Sequence, residues 1–331
     1  ELDLLVGGPP CQGFSGIGHR RTHRVHRQDI PANHLYLQMV SLINYLNPRM
    51  FLFENVRGLR SAKWTPEGIP GEVWADVWSS FSSLEKYRVK ETIVFAKDYG
   101  VPQLRPRVLI VGLRSDLSFQ SIEGMPAEGL IPRGLSPAPD LIDILGDLID
   151  PEYSNGGATR FYPHSVHNDL QAEFRREPKT SQTKEKGSPL TEHEYSKHSE
   201  TVQSRFRHMI RNDGAKPQGF KTVKFSQRLL PPRWGEVGPT ITAASMPDDY
   251  VHFSQPRSLT VREWARLQTF PDWYEFYGPR TTGGAKRAGT PAGQFLDRDL
   301  PKYTQIGNAV PVLLARAIGC HFGALLDEAR N

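Results

Sequence analysis

Apolar residues in this chain fall into short runs separated by turn-forming segments, and the spacing within each run predicts its element. Leu2-Asp3-Leu4-Leu5-Val6 reads as a buried strand, stopped by Gly7-Gly8-Pro9-Pro10. Asn33 can cap a helix whose apolar positions are Leu35, Met39, Leu42, Ile43 and Leu46, and Pro48 ends it. Met50-Phe51-Leu52-Phe53 is a second short apolar strand, with Glu54-Asn55-Val56 at its end. Strand, loop, helix and strand make a parallel βαβ unit, whose strands open on one edge of the sheet. Cys11, just past the first strand, and Glu54 are therefore expected neighbours.

A second helix is expected over Glu72–Leu84, with Val73, Val77 and Phe81 on one face. Val89–Ala96 and Val108–Leu113 read as two further strands; paired as a hairpin, they return the connecting residues 97–107 to the same edge. Beyond residue 115 the pattern degrades and prolines recur, with a short helix at Leu141–Leu148. Residues 171–200 are polar and charged enough to read as an exposed or disordered insertion. Residues 201–255 interleave bases and aromatics (Arg205, Phe206, Lys224, Phe225, Arg233, Trp234), which suits a nucleic-acid surface; a structural subdomain would look similar. Order returns where Thr260 caps a helix running to Gln268 and ending at Phe270-Pro271. Residues 278–300 form a Gly-, Pro- and Arg-rich loop. The last helix spans about Ala309 to Ala329, with Val312, Leu313, Ala315, Ile318, Phe322 and Leu325 as its apolar face.

Composition narrows the class. The 331 residues are 38% hydrophobic and 23% charged, which fits a globular chain and not a disordered one. No apolar run reaches membrane-spanning length, so no membrane partner is expected. Cys11 and Cys320 are the only cysteines, too few for a disulfide framework or a zinc site, and no metal is expected. Cys320 lies in an apolar helical pattern and reads as core. A reducing cytoplasm is the natural compartment. The net charge of +5 mildly favours a polyanionic partner.

The chemistry centres on Cys11. A thiol on a tight loop at the end of a sheet strand can attack a group held in the crevice there. An isolated cysteine is more often core, so its neighbours decide. GGPPCQGFS at 7–15, FENV at 53–56, QLRPR at 103–107, RSLTVREWARLQTFPDWYEF at 257–276 and QIGNAVP at 305–311 follow one another in order. Together they make the chain resemble the DNA (cytosine-5) methyltransferases, and the bacterial restriction–modification branch in particular. The resemblance covers most of the chain outside 115–235.

That resemblance implies an α/β fold: a Rossmann-like methyltransferase core followed by a smaller, mixed target-recognition domain. The implied division is residues 1–115 as the catalytic domain, 116–256 as the target-recognition domain, and 257–331 returning to the catalytic domain. The implied reaction is site-specific methylation of double-stranded DNA with S-adenosylmethionine. Cys11 carries over as the thiolate that adds to carbon 6 of a flipped cytosine. Glu54 carries over as the group that protonates N3, and Arg107 as the arginine reaching O2 and that carboxylate. Arg105 and Gln103 match its companions, which also hold the loop. Gln12 and Ser15 match residues on the DNA backbone, and Arg20 and Arg21 belong to the loop 16–31, read as a lid that closes on phosphates. Pro10, Leu35, Asn308 and Ala309 match the methyl-donor pocket.

One departure stands out. The family's first βα unit, with its Phe-x-Gly-x-Gly donor loop, belongs upstream of Leu2. The chain is thus expected to hold the nucleophile and base-side groups while lacking most of the donor site, and to bind S-adenosylmethionine poorly alone. Three origins fit such a chain: one subunit of a naturally split enzyme, an incomplete gene product, or a piece of a longer chain. In the first, a second polypeptide supplying the missing motif would be its partner. The alternative function is a DNA-binding recognition subunit that is inactive without such a partner.

Overall fold

The computed structural model describes residues 1–9, 29–118, 124–219, 227–235, 238–241, 249–281 and 300–328. The chain forms two compact units. Glu1–Tyr99, Arg105–Ser136 and Leu314–Asn331 make the first; Gly100–Leu104 and Pro137–Leu313 make the second. This differs from the division at 115 and 256. Residues 257–313 group with the recognition region, only the last helix groups with the strands, and the second unit holds the larger share of the chain.

The first unit is a four-stranded sheet with helices against it. Strand β1 (Leu4–Gly7) leads through helix α1 (Leu35–Leu46) to β2 (Met50–Val56). Helix α2 (Glu72–Ser82) and the hairpin β3 (Tyr87–Phe95) and β4 (Pro106–Arg114) follow. The strand order is β1-β2-β4-β3. β1 and β2 are parallel, with Gly7 opposite Phe53, and the other pairs are antiparallel. The parallel βαβ unit and the hairpin are those the apolar spacing predicts. β4 is central and buried from Arg107 to Leu113, which is why it reads as a continuous apolar run. Gly112 faces Phe51 across the ladder; a Cβ there would come 2.1 Å from the Phe51 ring, so glycine makes room for it.

Three expectations fail here for physical reasons. Leu2–Val6 reads as a buried strand, yet β1 is only partly covered, with Val6 58% exposed. Among the described residues β1 is paired on one side only, so it is an edge strand. Asn33 does not cap α1. Pro31 opens a 3₁₀ turn over Pro31–His34 that buries Asn33, and α1 starts beyond it without a side-chain cap. Of the apolar positions expected on α1, Met39 and Ile43 are buried and Leu35, Leu42 and Leu46 are exposed. Tyr36, Met39 and Ile43 form the competing stripe at i, i+3 and i+7, and the core takes that one, with Val73, Val77 and Phe81 of α2.

The C-terminal helix, Val312–Glu328, completes the unit. Leu314, Ile318, Phe322 and Leu325 are its buried stripe. Arg49 donates from Nη2 to the Leu326 carbonyl (3.2 Å), and His321 Nε2 bonds the Gly129 carbonyl (2.7 Å). Cys320 falls off that stripe and is exposed, not core. The stretch 302–328 does reach the length and apolar composition of a membrane span, contrary to expectation. It is two helices, broken at Ala309–Pro311.

The second unit contains helices α3 (Leu141–Leu145), α4 (Asp169–Arg175) and α5 (Glu200–Arg211). A two-stranded parallel sheet, β5 (Arg228–Leu229) with β6 (Tyr250–Val251), and helices α6 (Val261–Leu267) and α7 (Lys302–Asn308) complete it. Residues 171–200 are not a disordered insertion. Asn168 caps α4 by accepting from the Gln171 amide, and Phe174, Leu190, His193 and Tyr195 are buried. Charged residues are tolerated there because they are paired: Arg175 donates to Asp147 Oδ2 from Nε (2.9 Å) and Nη2 (2.6 Å).

Helix α6 shows this most fully. Thr260 and Glu263 form the capping box that the S/T-x-x-E pattern signals. Every residue of α6 is buried, including Arg262, Glu263 and Arg266. Arg266 bridges Asp147 and Asp272, and Tyr162 donates to Asp272 (2.7 Å). Burial pushes the Glu263 carboxyl up, but the bidentate Arg257 beside it (2.7 and 2.6 Å) overrides this and holds it well below the usual range.

Two buried histidines here give a pH prediction. Burial lowers His193 to about 4 and, with Arg257 adding to it, His252 to about 3. His193 Nε2 donates to the Leu148 carbonyl, and His252 Nδ1 accepts from the Ser254 and Gln255 amides, so both rings are neutral. The unfolded chain takes up these protons near pH 6.5, so folding stability falls as pH drops from about 6.5. At pH 5 the loss is on the order of 2 kcal/mol per histidine. Urea midpoints at pH 7.5 and 5.0 should differ accordingly, and His252→Gln should remove about half of the difference.

Candidate active site

Glu54 lies near the end of β2, and Arg107 near the start of β4. The register pairs Glu54 with Leu109 and Val56 with Arg107. Residues 107 and 109 share a face, so Glu54 and Arg107 are diagonal neighbours on it. Arg107 Nε sits 2.5 Å from Glu54 Oε1, and both side chains are largely buried. Arg107 Nη1 also donates to the Pro106 carbonyl (2.9 Å). Burial lowers the Arg107 guanidinium, while the Glu54 charge and hydrogen bond resist this.

Arg105 is almost wholly buried and has φ near +25°, a strained backbone for a residue with a Cβ. Burial pushes its guanidinium well below the usual range; the Arg107 charge adds to this and Glu54 opposes it. Arg105 and Arg107 thus both lie in the field of Glu54, and guanidinium groups in a region of low dielectric suit an electron-rich group such as a carbonyl oxygen.

The loop after β1 comes to the same place. A Cβ on Gly8 would stand 3.2 Å from Glu54 Oε2, so glycine lets the chain pass close to the carboxylate. Asn55 Nδ2 donates to the Pro9 carbonyl (3.0 Å), while its Oδ1 accepts from the Val56 amide (2.8 Å). Asn55 therefore ties the start of the loop that carries Cys11 to the strand end that carries Glu54. Sequence alone gives Asn55 no role, although it stands inside the FENV segment. Of the two expected neighbours, Glu54 is described and Cys11 is not. Pro10, Cys11, Gln12, Ser15, Arg20, Arg21 and most of the loop read as a lid lie outside the described residues.

Gln103 lies in the second unit, fully buried. Its Nε2 donates to the Leu267 carbonyl (2.6 Å) and Gln268 Oε1 (2.9 Å), and its Oε1 accepts from the Ile241 amide (2.8 Å). Leu35 opens α1 with its side chain exposed, and Asn308 ends α7, also exposed. Among the described residues there is no cluster of His, Cys, Asp and Glu that could hold a metal.

The crystal structure of an E. coli prophage-encoded protein, described as a DNA modification methyltransferase, shares this fold. Its TM-score is 0.63 at 24% identity, covering 98% of this chain and 79% of that one. The chain thus shares the α/β fold of that protein. The model of the C-5 cytosine-specific DNA methylase family matches residues 1–323, and the chain belongs to that family, whose members are S-adenosylmethionine-dependent enzymes acting on DNA. The Type II methyltransferase M.DdeI of Desulfomicrobium norvegicum is 32% identical over 332 residues, spanning 96% of this chain and 72% of its own length. The Type II methyltransferase M.BsuRI of Bacillus subtilis is 32% identical over 321 residues, and the chain spans 58% of its length.

Proposed function

We propose that this chain methylates carbon 5 of cytosine at a defined sequence in double-stranded DNA, as the modification enzyme of a bacterial restriction–modification system in the cytoplasm. The observation that carries this reading is the Glu54–Arg107 pair at the ends of neighbouring strands, beside the Gly8-Pro9 turn that leads to Cys11.

Carbon 5 of cytosine is a poor nucleophile. Addition of the Cys11 thiolate at carbon 6 makes carbon 5 enamine-like, and the base must leave the helix for this to occur. Glu54 delivers a proton to N3, which draws off the negative charge that addition creates. Arg107 holds Glu54 through Oε1 and supplies a donor fork for the base's O2. S-adenosylmethionine supplies the methyl group. Leu35 and Asn308, both exposed, are each of a kind with part of its mixed surface, one apolar and one polar. Carbon 5 takes the methyl group as the donor's sulfonium becomes a neutral thioether. Water then takes the carbon 5 proton, the bond from carbon 6 to sulfur breaks to return the Cys11 thiolate, and N3 gives its proton back to Glu54. Residues 116–256 carry the target recognition, with Gln12, Ser15, Arg20 and Arg21 on the DNA backbone.

Incubation with duplex DNA and donor labelled in its methyl group tests this: label should appear on cytosine carbon 5. Glu54→Gln keeps the size and loses the proton, so single-turnover transfer should fall about a hundredfold or more while DNA affinity holds. Transfer by this variant at the wild-type rate would take the proton role away from Glu54.

A further inference from the structure

Gln103 and Gln268 are both fully buried, and their side chains form a directed chain of hydrogen bonds. The Ile241 amide donates to Gln103 Oε1 (2.8 Å), and Gln103 Nε2 donates to Gln268 Oε1 (2.9 Å) and the Leu267 carbonyl (2.6 Å). Gln268 Nε2 then donates to the Ile306 carbonyl (2.8 Å) and the Ala309 carbonyl (3.3 Å). The groups at both ends are backbone amides and carbonyls of fixed polarity. Turning either side-chain amide over would set like dipoles against each other, so the direction is determined.

The far end of this chain lies at a helix break. α7 ends at Asn308 and the C-terminal helix begins at Val312. Across this break Gln268 adds a donor to the Ile306 carbonyl, which also accepts from the Ala309 amide (3.2 Å), and another to the Ala309 carbonyl. The Val312 amide donates to the Gln268 carbonyl (3.1 Å), and the Leu313 amide to Thr269 Oγ1 (3.0 Å). Thr269 itself has φ near +59°, a left-handed backbone that turns both groups toward this segment. Residues 306, 309, 312 and 313 thus all bond to Gln268-Thr269. Glutamine alone offers two donors and one acceptor at this length; asparagine is too short, and glutamate has no second donor.

We propose that Gln103 and Gln268 are positioning residues for the reaction: the relay holds the segment with Asn308 and Ala309 in place, and its hold depends on Gln103. Gln103 opens the same QLRPR segment that carries Arg105 and Arg107. The inference rests on the proposed methyl transfer only for what Asn308 and Ala309 bind.

The test is Gln103→Leu, with Gln103→Glu as a second variant that keeps the volume and the acceptor for Ile241. Amide hydrogen exchange over residues 305–313 should accelerate about tenfold in either, although the Gln103 side chain bonds to Leu267, Gln268 and Ile241 and reaches that segment only through Gln268. The KM for S-adenosylmethionine should rise by a similar factor, with a smaller change in kcat. Exchange at 305–313 equal to wild type, with faster exchange confined to the neighbourhood of 103 and 241, would overturn the relay. So would a lowered melting temperature with donor KM unchanged. Absence of transfer by the wild-type chain would instead count against the proposed reaction, and the exchange measurement would still decide the relay.

Discussion

Asp147→Ala is expected to lower folding stability by at least about 3–5 kcal/mol. Asp147 is fully buried and accepts from Arg175 and from Arg266 Nη1 (2.5 Å) and Nη2 (3.1 Å). Removing its carboxylate leaves Arg175 with backbone carbonyls and the Tyr162 ring (3.9 Å), and Arg266 with Asp272. Uncompensated buried charge is the most costly outcome in such a network. The paired replacement Asp147→Leu with Arg175→Met removes charge from both sides and should cost clearly less. Urea unfolding of the two variants decides this. A single-variant loss below about 1 kcal/mol would mean that water reaches the network.

Cys11→Ser is expected to cut methyl transfer by at least about a thousandfold while leaving DNA affinity close to wild type. A serine hydroxyl is not ionised near neutral pH, and a positioned base would be needed to activate it. The measurement is label transferred to DNA in a single turnover, alongside a mobility-shift titration. More than a trace of transfer by this variant would remove Cys11 from the nucleophile's role.

How far the chain could be read beforehand depended on the range of the interaction concerned. The βαβ unit and hairpin follow from local apolar spacing, and they place Glu54 and the segment ending at Arg107 on one edge. The capping box at Thr260 and Glu263 is local too. What escaped was settled by distant partners. Nothing local to residues 261–267 shows that Arg266 is buried against Asp147, more than a hundred residues earlier. Residues 171–200 look disordered because the carboxylate that pairs Arg175 is outside any local window. On α1 two apolar stripes are present, and only the packed sheet and α2 decide between Leu35-Leu42-Leu46 and Tyr36-Met39-Ile43. Cys320 went astray similarly, falling just off the buried stripe of its helix. Asn55 and Gln268 were visible as letters within the motifs, but their partners, Pro9 and Ile306, are fixed only by the fold.

The order in which the first unit is assembled from the chain has a consequence for biosynthesis. Its four strands precede the bulk of the second unit along the chain, but the helix that holds the Leu326 carbonyl against Arg49 and His321 against Gly129 follows it. Until then Arg49 has Asp3 to pair with (3.1 Å), and the helix whose buried residues include Leu314, Ile318 and Phe322 is absent. The nascent sheet must therefore wait, partly finished, until residues 314–328 have been made, a state in which exposed apolar surface attracts chaperones. No single cut in the polypeptide separates the two units, so an N-terminal fragment would remain in that waiting state.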